Sequence, residues 1–116
     1  MIGLDNIYHI CSRDVWEVAK KGESYKPDTL EKEGFIHCSK YDQVLRVANA
    51  FFHGQKYLVL LVIEPGKVSA KILWEPGSDK PDEMFPHIYG SLNLDAIIRV
   101  LDLDENPDGK FYLPSV

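Results

Sequence analysis

The stretch from Tyr57 to Glu64 (YLVLLVIE) is almost continuously apolar, rich in branched residues and strand-sized. A strand with one face in water alternates apolar and polar side chains; one that does not alternate is buried on both faces. The chain must therefore lay structure on both sides of this segment, which is expected to be a central strand. It is too short to cross a bilayer, since a spanning helix needs about 20 apolar residues. No longer apolar run exists, so no membrane span is read.

The other elements arrange themselves around that strand. Ile7 to Cys11 (IYHIC) is β-branched and aromatic and predicts a first strand. Ser12 is a suitable N-cap for a helix over Arg13 to Lys21, with Gly22 as its stop and Val15, Trp16 and Ala19 as its apolar face. A short helical turn around Thr29 to Lys32 ends at Gly34, and Phe35 to Cys38 reads as a second strand. Tyr41, Val44, Leu45, Ala48, Phe51 and Phe52 recur at helical spacing, with Ser39 as cap, Asp42 in the capping box and Gly54 as terminator. Pro65-Gly66 is expected to turn the central strand into a hairpin partner, Lys67 to Trp74, followed by a polar loop over Glu75 to Asp82. Phe85 to Gly90 reads as a short aromatic segment and Leu94 to Ile98 as one helical turn. Arg99 to Asp104 and Lys110 to Leu113 form an expected terminal hairpin around Asn106-Pro107-Asp108-Gly109. Strands outnumber helices, and the two main helices fall in the first half. That order predicts an α+β fold with a mainly antiparallel sheet.

The length suits one domain over residues 1–116. Thirteen basic and 18 acidic residues leave a net charge of −5, and the only basic cluster is Lys20-Lys21. Extended nucleic-acid binding needs a basic face and is not expected. The N-terminal residues show no basic start followed by an apolar stretch, so no signal peptide is read. Two cysteines, Cys11 and Cys38, are too few for a disulfide scaffold. Reduced buried thiols and a cytoplasmic location are the expectation.

No Gly-rich phosphate loop, nucleophile elbow or helical zinc motif is present. The chemistry-bearing residues are the histidines. Three of the four sit in strand-like segments: His9-Ile10-Cys11, His37-Cys38-Ser39 and His87-Ile88-Tyr89. Residues i and i+2 of a strand share a face, which puts His9 with Cys11, His37 with Phe35 and Ser39, and His87 with Phe85 and Tyr89. A buried imidazole costs desolvation unless it is hydrogen-bonded, so each could be a core histidine satisfied by a carbonyl. Three together suggest one shared pocket. Cys38 falls on the strand face opposite His37, which disfavours a Cys–His nucleophilic pair. Three imidazoles with a water would suit a catalytic metal, yet no two of them are locally spaced. His53 lies at a helix end, where solvent or the helix dipole accounts for it. Trp16, Phe51 and Phe52 read as core.

Ile7-Tyr8-His9-Ile10, Glu33-Gly34-Phe35-Ile36-His37-Cys38-Ser39, Phe85-Pro86-His87-Ile88-Tyr89-Gly90 and Phe111 to Pro114 together resemble the family called domain of unknown function 952. Beneath that, the Tyr-His strand, the helix with Trp16 and the Glu-Gly-Phe-Ile-His-Cys-Ser run are similar to the opening half of RNA 2′-phosphotransferases and other ADP-ribosyltransferase-fold proteins. The resemblance implies an ADP-ribosyltransferase-like split sheet and a ligand such as NAD, ADP-ribose or a related nucleotide or phosphorylated small molecule. It assigns the ribose-holding role to His9 and the second-strand role to His37 and Ser39. Where that fold carries a catalytic Glu or Arg, this chain offers His87 and Tyr89. The resulting expectation is a transferase-like enzyme with His87 and His37 as acid/base groups and His9, Ser39 and Tyr89 as substrate contacts. A non-catalytic binding module and a His-ligated metal hydrolase are the alternatives, and no resident metal is assigned.

Overall fold

The computed structural model describes residues 6–77 and 80–113. Its architecture follows from the segment that does not alternate. Strand β4 (Leu58–Ile63) is buried at every position. It pairs antiparallel with β1 (Ile7–Ser12) on one side and with β8 (Ile97–Leu103) on the other. Val59, Leu61 and Ile63 point into one core together with Ile7 and Cys11. Leu58, Leu60 and Val62 point into a second core with Tyr8, Ile10 and Leu103. Helix α3 (Val44–Phe51) covers this second face with Val44 and Ala48.

The first face is covered by a separate antiparallel sheet of order β3-β6-β5, formed by β3 (Ile36–His37), β6 (Met84–Tyr89) and β5 (Lys71–Pro76). Ile36, Ile72 and Ile88 supply its inward contacts. A two-stranded ribbon of β2 (Ser24–Tyr25) and β7 (Leu92–Asn93) and helix α1 (Arg13–Ala19) complete this layer. Among the described residues all strand pairs are antiparallel and the α-helices lie in the first half, α2 (Asp28–Glu33) standing between α1 and α3. Gly34 ends α2 in the left-handed conformation at φ 87°, which a side chain would strain, and so aims Phe35 and His37 into β3. Among the described residues, no helix is long and apolar enough to cross a membrane.

Several expectations need correction. Ser12 caps α1 as expected, its hydroxyl accepting from the Val15 N–H at 3.2 Å. Ser39 does not cap α3. Its backbone exchanges hydrogen bonds with Tyr8 at 2.9 and 2.8 Å, and Lys40 instead starts a 3-10 turn over Tyr41–Gln43. There Gln43, not Asp42, closes the turn by accepting from the Lys40 N–H at 2.9 Å. Pro65–Lys67 is also a 3-10 turn, and the strand after it joins β6 and not β4. Glu75 therefore belongs to a strand and not to a loop. The terminal hairpin shrinks to one bridge between Glu105 and Phe111, because Ile97–Leu103 is committed to β4. Phe51 is 52% exposed and is not core, while Phe52 packs against the second core.

Cys11 and Cys38 are both free and buried. Replacing Cys38 by Ala removes one sulfur from a fully packed site. It is expected to cost about 1–2 kcal/mol in urea unfolding and not to abolish function.

Candidate functional site

The bridge between Tyr8 and Ser39 is where the two sheets touch. Beyond it β1 and β3 part, and a cavity of about 700 Å³ opens between them. His9 and Cys11 of β1, Phe35 and His37 around β3, Phe85 and His87 of β6, and Phe51 from the end of α3 all line it. The segment joining β2 to α2 closes one side with Tyr25, Lys26 and Asp28. A volume of this size, mostly apolar and aromatic with a few polar groups, suits a small organic ligand.

His9 is buried, and the protein satisfies both of its ring nitrogens. The His37 carbonyl can only accept, so Nδ1–H donates to it at 2.5 Å, and Nε2 accepts from the Tyr25 hydroxyl at 2.7 Å. Burial pushes the His9 pKa down to about 4, with the His37 carbonyl partly opposing it. Burial raises the Cys11 thiol pKa to about 11. Burial likewise raises the Cys38 thiol and the Tyr25 phenol. This run of groups is neutral near pH 7, and neither thiol is a nucleophile there. Through these two bonds His9 ties β2 and β3 to β1.

The second polar run is built differently. His87 is 6% exposed, and its Nδ1–H donates to Glu75 Oε1 at 2.8 Å. The Tyr89 hydroxyl donates to the same oxygen at 2.6 Å. The Tyr89 bond first, and then His87, hold the Glu75 carboxyl below the usual carboxylate range. Phe35 stacks on the His87 ring at 4.2 Å and 18°, and meets His37 edge-on at 4.8 Å. The two imidazoles lie 5.3 Å apart, and His37 Nε2–H donates to Glu33 Oε2 at 2.9 Å.

Four of the five residues expected at a site, His9, His37, Ser39 and His87, line this one cavity. Tyr89 does not; it is half-exposed and contacts Glu75. The Ser39 backbone is held by Tyr8, and Arg13 pairs with Asp102. Among the described residues, no group of three His, Cys, Asp or Glu could hold a metal ion. The residues that sequence reasoning missed are Glu75, Glu33 and Tyr25. Glu75 had no local sequence signal: it meets His87 only through the pairing of Leu73 with His87, which puts a residue two further along on the same face.

The family model described as "Protein of unknown function (DUF952)" matches residues 10–100. The crystal structure of protein CC0527 from Caulobacter crescentus is similar at 33% identity and a TM-score of 0.82, covering 92% of this chain and 93% of that one. The solution structure of the same protein is similar at 34% identity and a TM-score of 0.73, covering 91% and 90%. No curated protein matches the chain.

Proposed function

We propose a nucleotide-handling function for this chain, which belongs to the DUF952 family of proteins of unknown function. In this reading it is a small enzyme of ADP-ribosyltransferase-like fold that acts on NAD, ADP-ribose or a related nucleotide or phosphorylated small molecule. His87 and His37 serve as its acid/base groups. The observation that carries the reading is the meeting of two carboxylate-backed imidazoles on one aromatic-walled cavity of about 700 Å³. Each imidazole carries one nitrogen that can accept a proton and one that can give it, so the two rings can serve as an acid/base pair.

The wall also favours one end of such a ligand. Phe35, Phe51 and Phe85 offer faces for a planar ring. Among the described residues lining the cavity, Lys26 is the one ammonium against the carboxylates of Asp28 and Glu33, so the ring and sugar supply more affinity than the phosphates. Calorimetric titration with NAD, ADP-ribose and a simple phosphate ester tests this. Micromolar to millimolar binding of the ring-bearing ligands is expected, weakened by about 1 kcal/mol in Phe51→Ala and untouched in His53→Ala. Absence of binding by all three ligands would overturn the reading. Binding without turnover would make the protein a binding module.

A further inference from the structure

We infer that Glu75 is the positioning residue of His87, with Tyr89 as its anchor, and that together they fix the imidazole with Nε2 as its free, basic nitrogen. The inference rests on the reading of His87 as an acid/base group of the cavity, and it adds two residues to that reading.

A carboxylate can only accept. When Nδ1 lies 2.8 Å from Glu75 Oε1, that nitrogen carries the hydrogen, and the lone pair of the neutral ring is on Nε2. An unconstrained imidazole can place its single hydrogen on either nitrogen. The carboxylate removes that freedom and is ready to stabilise the imidazolium that forms once Nε2 takes a proton.

Glu75 is itself held. Its side chain is 34% exposed, so a free carboxylate there would sample several rotamers. The Tyr89 hydroxyl binds the same oxygen at 2.6 Å. Tyr89 lies two residues beyond His87 on β6, and Glu75 lies two beyond Leu73, which pairs with His87. All three side chains therefore stand on one face of the sheet. The fourth wall is Phe35, stacked at 4.2 Å on the His87 ring and 5.3 Å from the Tyr89 ring. Hydrogen bond and stack together leave the imidazole one orientation.

The polarity is opposite at His37. There Nε2–H is the donor, to Glu33, so Nδ1 is the basic nitrogen. The same cavity therefore meets two imidazoles that present different nitrogens.

The test reads the tautomer directly and needs no ligand. Proton–nitrogen correlation spectra of the histidine rings are recorded on the whole chain at a pH where the rings are neutral, with His87 assigned by its loss in His87→Gln. The wild type is expected to show Nδ1 protonated and Nε2 unprotonated. Glu75→Ala is expected to move His87 toward the Nε2–H form, and Glu75→Gln, which keeps an acceptor oxygen, to restore the wild-type pattern. An unchanged Nδ1–H pattern in a folded Glu75→Ala chain would overturn the inference. Should that chain lose its dispersed amide spectrum, Glu75→Met, which keeps volume and lacks the acceptor, is read in the same way. Failure of nucleotides to bind would overturn the functional reading and leave the tautomer result standing.

Discussion

Replacing His87 by alanine is expected to lower turnover by about 10²–10⁴-fold, the range that a positioned acid/base group supplies. Affinity for the same ligand should stay close to that of the wild type. The two effects separate because His87 offers the cavity one nitrogen and little surface: one ring face is covered by Phe35 and its Nδ1–H is spent on Glu75. His37→Ala should cost less, since that side chain is 48% exposed and is held by a single carboxylate. Steady-state kinetics on NAD and on a cyclic phosphate, beside calorimetry on the same variants, decides between these outcomes. An equal loss of binding and turnover in His87→Ala would assign the ring to packing.

Acid should destabilise the fold before ordinary carboxylates titrate, and His9 is the cause. In the unfolded chain its imidazole protonates near its ordinary value of 6.5; in the fold it resists until about 4. Between those values the unfolded state binds more protons, so stability falls as pH falls through the window. Above it the group contributes no slope, and below it both states are charged. The full depression corresponds to roughly 3 kcal/mol, of which about 2 kcal/mol is lost by pH 5. Urea unfolding between pH 7.5 and 5 measures it. His9→Gln should start less stable, having disturbed Tyr25 and the His37 carbonyl, and should show a flatter profile. A wild type whose stability does not change between pH 7 and 5 would contradict the burial of a neutral His9.

The central strand was legible because burial on both faces leaves an unmistakable run, YLVLLVI. The three histidines were legible for a related reason: a polar ring among branched apolar neighbours demands a partner. Their partners were not. His9 finds Tyr25 and the His37 carbonyl 16 and 28 residues away. Glu75 reaches His87 only because β5 pairs with β6, whereas Pro65-Gly66 read locally as a hairpin onto β4. Strand pairing is a non-local choice, and a wrong partner hides every residue that the true partner brings to the face. The cap of α3 failed on a smaller scale. Ser39 has the right chemistry for a cap, but its backbone is committed to Tyr8, so Lys40 starts the turn and Gln43 closes it in place of Asp42.

The pairing order has a kinetic consequence. β1 carries His9 and comes first among the described elements, yet its partner β4 begins at Leu58 and the other neighbour of β4 begins only at Ile97. No hairpin nucleates this sheet; each pairing closes a loop of tens of residues before any contact rewards it. Topologies dominated by such distant pairings fold in about milliseconds to seconds, slowly for chains of their size. During that interval Ile7–Ser12 and Leu58–Ile63 are apolar segments without partners, so β1, which lines the cavity, is exposed to misassociation until β4 arrives to pair with it.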